Sequence, residues 1–262
     1  MKYIEATHNK ELQELIIYPI GDLHIGSPNF DRKVLDKHLK TIDKNIDKAR
    51  IIIMGDLAET ALKDSVGAGV YEQQESAQQQ MMTAKTILYP YRDLIDGIVT
   101  GNHEQRIYKN TGFDIMLYFA QLMGLEDKYL RYQGVIKYTI QQRAFNISVW
   151  HGSGGGSTPG GAMNKLQKQA STVLADVYLM GHVHQRQAFS KTIYLPDAQN
   201  NKIDLMKQAF VVTGSALTHE ESYAEEAGFA PSEKGFPQIT LGVDREYVND
   251  KRLRKKSIKV EI

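Results

Sequence analysis

The chain has 262 residues, with 32 Lys and Arg against 31 Asp and Glu, a net charge of +1 and no cysteine. That balance gives no global field to draw in nucleic acid or a membrane, and the missing cysteines exclude disulfides and thiolate metal ligands. The length suits one domain, 1–262, with a sizeable core; no apolar run is long enough to span a membrane, and the charged first fourteen residues do not read as a secretory signal. A cytoplasmic location is the default expectation.

Leu15–Ile20 reads as a buried strand leading into Gly21-Asp22. From Asp31 to Ala49, the apolar residues Val34, Leu35, Leu39, Ile42 and Ile46 recur at helical spacing. Ile51–Met54 is the next strand, Asp64–Gly69 a loop, and Tyr71 to Leu88 a glutamine-rich helix with Met81, Met82, Ile87 and Leu88 to pack. Ile98-Val99-Thr100 is a short strand into an asparagine-histidine turn. A capping-box-like start at Thr111–Asp114 opens a helix through Met123, stopped at Gly124.

Val135–Ile140 and Phe145–Trp150 pair as strands ending at His151. A glycine-rich loop leads to a helix over about Ala162 to Ala175, and Val177–Met180 is the strand before Gly181-His182. The remainder is all-β: Gln187–Tyr194, Ile203–Val212, Gln238–Val243 and Ser257–Ile262. Helices alternating with strands first, then mostly strands, suit an α/β fold of two sheets face to face with helices outside.

Polar residues cluster where these strands end. In order they are Asp22-Leu23-His24, Gly55-Asp56, Gly101-Asn102-His103-Glu104, Trp150-His151-Gly152 and Gly181-His182-Val183-His184, which hold five of the eight histidines. Side chains at i and i+2 of an extended segment point the same way, so Asp22 with His24, and His182 with His184, can each aim at one point. Imidazoles, carboxylates and an amide converging in this way suggest a metal site, rich enough for two ions.

These five motifs resemble, in order and wording, those of the calcineurin-like metallophosphoesterase superfamily: D-x-H, G-D-x-x-[DEN], G-N-H-[DE], a lone H, and G-H-x-H. The resemblance runs from about Ile16 to Gly214-Ser215. It implies a four-layer α/β/β/α sandwich of two mixed sheets. It also implies one metal held by Asp22, His24, Asp56 and His184, and a second by Asp56, Asn102, His151 and His182, with Asp56 bridging. Mixed nitrogen and oxygen ligands suit manganese, iron, zinc or nickel better than calcium or magnesium; manganese is the metal expected, with iron, zinc or nickel as alternatives. By the family's pattern a metal-bridging hydroxide attacks phosphorus and His103 protonates the leaving oxygen. Glu104 would orient His103, and Glu59 takes a position often filled by aspartate or asparagine that is not a metal ligand in the family.

The intact Gly101-Asn102-His103 triplet favours a diesterase over a phosphomonoesterase acting on nucleotides or phosphoproteins, and a non-catalytic scaffold is disfavoured because no ligand is lost. The expected substrates are phosphoesters, with DNA, RNA or nucleotides as candidates and no membrane partner. Gly101–Arg106, the glycine loop and Gly235-Phe236-Pro237 also look like phage-encoded or prophage members. Arg106 could reach a substrate phosphate with its planar fork. The Gly152–Gly161 segment could offer backbone N–H groups to phosphate. His219, Tyr223 and the basic run Lys251–Lys256 are weaker candidates, better read as surface features.

Overall fold

A computed structural model describes residues 1–9, 11–63, 65, 69–154, 158–218, 225, 231–248 and 251–262. His219, Tyr223, the centre of the glycine loop, most of the Asp64–Gly69 loop, the 249–250 turn and the side chains of Lys251, Arg252 and Leu253 lie outside the described residues.

The elements in order are β1 (Lys2–Glu5), β2 (Glu14–Ile20), α1 (Arg32–Asp43), β3 (Ala49–Ile53), α2 (Gly69–Glu72), α3 (Ala77–Leu88), a 3-10 turn (Tyr89–Leu94) and β4 (Ile95–Val99). There follow α4 (Asn102–Thr111), α5 (Ile115–Met123), a second 3-10 turn (Glu126–Lys128), β5 (Tyr129–Arg131), β6 (Gln133–Ile140), β7 (Arg143–Trp150) and α6 (Pro159–Ala170). The chain continues through β8 (Val177–Met180), β9 (Arg186–Asp197), β10 (Lys202–Thr213), β11 (Gln238–Val248) and β12 (Lys251–Glu261).

Two six-stranded mixed sheets result, one ordered β1-β6-β7-β8-β10-β9 and the other β12-β11-β2-β3-β4-β5. In the second sheet β2, β3, β4 and β5 run parallel, and in the first β7, β8 and β10 do so. The apolar side chains form three bodies. Leu15, Ile17, Ile52, Val99, Ile136, Phe145, Val177 and Leu241 fill the space between the sheets. Leu35, Leu39, Met81, Leu88, Phe119 and Met123 pack α1, α3 and α5 on the outer face of one sheet, while Ala162 and Leu166 pack α6 against Tyr178 and Phe210 on the other. This is the layered α/β arrangement expected from the sequence.

Several boundaries differ for physical reasons. α1 ends at Asp43, so Ile46 lies beyond it and is 44% exposed; the chain must turn there to enter β3 beside β2. The glutamine-rich helix is two, because Ser76 caps α3 through a reciprocal bond with Gln79 and the chain breaks before it. The asparagine-histidine turn is instead the first turn of α4, a helix with little apolar periodicity whose buried positions are Glu104 and Ile107. β1 and β5, short and at sheet edges, were not expected.

Candidate metal centre

Five strands, three parallel in one sheet and two parallel in the other, bring their C-terminal ends to one rim, where ligands of open α/β sheets usually gather. Asp22 and His24 follow β2, Asp56 follows β3 and Asn102 follows β4; from the other sheet, His151 follows β7 and His182 and His184 follow β8. The backbone there departs from the extended form on which the i, i+2 argument relied. Asp22, His24, Asp56, His182 and His184 have φ of 49, 51, 47, 71 and 54°, all in the left-handed region that side chains enter at a cost. The pairs still converge, through these turns rather than through strand pleating. Close approach also dictates two glycines: a Cβ at Gly101 would overlap the Asp56 carboxylate, and one at Gly181 would lie 2.6 Å from Asp22 Oδ2.

Two groups of donor atoms correspond to the expected ligand sets, and His24, Glu59 and His103 form a third beside them. In the first, His24 Nε2 and His184 Nε2 are 3.2 Å apart and Asp22 Oδ1 lies 3.3 Å from His184 Nε2. In the second, His151 Nε2 is 3.1 Å from both Asp56 Oδ2 and Asn102 Oδ1, and His182 Nδ1 is 2.8 Å from Asn102 Oδ1. Asp56 stands between them, its Oδ2 also 3.9 Å from His24 Nε2. Each of the sets Asp22–His24–His184 and Asp56–His151–His182 could hold a metal ion.

The outer contacts set which ring nitrogens face inward. His151 Nδ1 donates to the Met54 carbonyl at 2.7 Å, and His24 Nδ1 donates to Glu59 Oε2 at 3.0 Å. In the neutral rings this leaves the Nε2 lone pairs aimed at the cluster. For His151 that lone pair meets the oxygen lone pairs of Asp56 and Asn102, an arrangement that needs a positive charge in its midst. Burial opposes a charged ring, yet Asp56 lifts His151 to about 10, so a proton takes the place a cation would fill. Asp56 is itself held well below the usual carboxylate range, burial being outweighed by His151, His103 and His24. Burial lowers His24 and His182. These residues fit a divalent cation pair with mixed nitrogen and oxygen ligands.

The residues expected around the ligands divide. His103 lies beside the cluster, its Nε2 4.0 Å from Asp56 Oδ2, its Nδ1 donating to the Glu59 carbonyl at 2.9 Å and 3.4 Å from Glu59 Oε1. Burial works against the charged ring, but Asp56 and Glu59 lift it to about 9. Glu104 does not orient His103. Its buried carboxylate accepts the backbone N–H groups of Asp56, Leu57, Ala58 and Gly101 at 3.0, 2.8, 3.3 and 2.9 Å, pinning the turn after β3 to the start of α4. Burial and the nearby Asp56 push its carboxyl upward.

Glu59 fills the role expected of Glu104. It touches both His24 and His103, and these rings hold its carboxyl far below its usual value against the effect of burial. The sequence carried a signal for it, since Glu59 sits three residues beyond Asp56 in the same motif. Arg106 bonds Ser65 Oγ at 3.0 Å and lies 3.9 Å from Glu59 Oε1, so it borders His103 rather than the ligand atoms. Of the glycine loop, the described end contributes the Ser153 and Gly154 carbonyls, which accept from Lys165 Nζ.

No protein-family model matches this sequence, and no curated protein is similar to it. Among solved structures, the chain is similar to vacuolar protein sorting 29 from Cryptosporidium parvum, with 16% identity over 95% of this chain and 99% of that chain at a TM-score of 0.44. It is also similar to a Vps29 from Entamoeba histolytica complexed with zinc, with 15% identity over 93% and 99% at 0.39. A conserved uncharacterized protein from Streptococcus pneumoniae, described as a predicted phosphoesterase, has 14% identity over 95% and 99% at 0.37. At these levels the neighbours carry no inference about chemistry, which rests on this chain's own side chains.

Proposed function

We propose that this chain is a metal-dependent phosphoesterase that cleaves phosphodiester bonds, with a nucleotide or nucleic acid as its substrate class. The observation that supports it is the cluster of Asp22, His24, Asp56, Asn102, His151, His182 and His184 at one rim, with ring nitrogens and side-chain oxygens facing one another. One cation would take Asp22, His24, Asp56 and His184, the other Asp56, Asn102, His151 and His182, with manganese, iron, zinc or nickel as candidates. When bound, such a pair supplies an acidified water near neutral pH and neutralises phosphate oxygens.

The chain's own groups supply the rest. Asp56 and Glu59 favour the charged form of His103, and Glu59 holds its Nδ1 so that Nε2 faces the cluster. That Nε2–H is the proton for the departing oxygen, and Glu59 keeps the ring charged until it is given up. Arg106 balances the Glu59 carboxylate and places a second cation at the site's edge, where it would meet a phosphate oxygen.

The test combines metal analysis with hydrolysis of bis-p-nitrophenyl phosphate, p-nitrophenyl phosphate and single-stranded DNA. The diesterase reading expects about two equivalents of metal per chain and faster turnover of the diester than of the monoester. A monoester preference would instead favour the nucleotide or phosphoprotein phosphatase. Metal without turnover of any ester would favour a binding scaffold. His103→Ala should keep its metal and lose about 10²–10⁴-fold on a diester with an alkoxide leaving group, but little on a nitrophenolate. Equal loss on both leaving groups would remove His103 as the acid.

A further inference from the structure

One surface cluster beside the metal centre has no part in the chemistry above. The Arg131 guanidinium lies over two tyrosine rings, 5.4 Å from the centroid of Tyr108 and 4.8 Å from that of Tyr132. Arg131 is exposed and makes no ion pair with a carboxylate among the described residues. Tyr132 is 45% exposed, with one ring face under the guanidinium. Arg131 also has φ of +67°, a strained value for a side chain of this size.

The topology fixes where this stack lies. Arg131 ends β5 beside Val99 at the end of β4, and its carbonyl accepts the Thr100 N–H at 2.7 Å, two residues before Asn102. Tyr132 immediately precedes Gln133, which pairs with Trp150, the neighbour of His151. The stack therefore flanks the Asn102–His151 side of the metal centre, where the chain crosses from one sheet to the other. Tyr108 is six residues along α4 from Asn102, about 9 Å along the helix axis. An oligonucleotide spans that distance from the reacting phosphate, whereas a nitrophenyl ester does not.

We propose that Tyr108, Arg131 and Tyr132 form a platform for single-stranded nucleic acid, one base stacking on Tyr132 while Arg131 takes the neighbouring phosphate. An aromatic face with a cation stacked beside it binds unpaired bases with little regard to sequence. A duplex offers no free base face, so the platform selects single strands. The proposal rests on the phosphoesterase reading for its use in catalysis, but binding itself does not need metal.

The test is therefore binding in EDTA, followed by fluorescence anisotropy of a labelled oligothymidylate. Tyr132→Ala and Arg131→Gln should each weaken binding about tenfold, and Tyr132→Phe should bind like the wild type. With metal restored, the alanine and glutamine variants should raise KM for the oligonucleotide while hydrolysis of bis-p-nitrophenyl phosphate stays unchanged. Wild-type protein that fails to bind the oligonucleotide, or Tyr132→Ala that binds it equally well, overturns the platform. Absence of bis-p-nitrophenyl phosphate hydrolysis in the wild type overturns the phosphoesterase reading instead, and the EDTA measurement still decides the platform.

Discussion

Two carboxylates close to the metal centre act on different things, and substitution should separate them. Glu104 holds four backbone N–H groups, so Glu104→Gln turns one acceptor corner into a donor facing donors. Leaving buried donors unmet in this way should cost about 2–3 kcal/mol in urea unfolding. A loss below about 0.5 kcal/mol would mean those turns hold without it. The strained ligands give a second expectation. His184 sits at φ 54° with a third of its side chain exposed, so little packing is lost on truncation. In metal-free protein His184→Gly should be more stable than His184→Ala by about 1 kcal/mol, the reverse of the usual order, because only glycine relaxes in the left-handed region. Equal denaturation midpoints would show that His184 is not strained.

At the scale of elements, α1 carries a titrating group remote from the ligands. His38 lies against Tyr18 and Phe236 with its Nε2 buried and unpartnered, and burial, with some help from Arg186, lowers it to about 4. An unfolded histidine titrates near 6.5, so the unfolded chain takes up this proton first as pH falls. Stability from this group is complete above about 6.5, is lost down to about 4, and changes no further below that. Between pH 7 and 5 the loss should be about 1–2 kcal/mol in urea unfolding, and His38→Gln should remove it. An unchanged pH slope in that variant would place the titration elsewhere.

Elements also show what could be read from residues alone. Strand-end motifs were legible because β-branched runs such as Ile51–Ile53 announce buried parallel strands and the polar residues follow at once. The existence of α4 was not, since its sequence Asn102–Thr111 is held by Glu104's contacts across to Asp56, Leu57 and Ala58 rather than by an apolar stripe. For the same reason Glu104 was misplaced beside His103: adjacency in sequence puts neighbours about 100° apart on a helix, and it is Glu59, from another turn, that reaches the ring's Nδ1. The Arg131–Tyr132 stack was invisible because its members gather from β5, the β5–β6 crossing and α4.

For the whole molecule, the donor atoms come from both sheets, Asp22, His24, Asp56 and Asn102 from one and His151, His182 and His184 from the other. A cation bound there ties the two layers together, so removing it with a chelator should lower the melting temperature, and restoring it should raise that temperature with concentration. Indifference of the melting curve to metal would mean that no ion is held by both sheets.

That shared rim also has a kinetic meaning. Asp22 and His182 are 160 residues apart, and their contact closes only when both sheets are docked. A state with only one sheet formed contains at most four of the seven ligands and completes neither metal's set. Metal should therefore leave the refolding rate nearly untouched and slow unfolding, lengthening the lifetime of the native state rather than hastening its arrival.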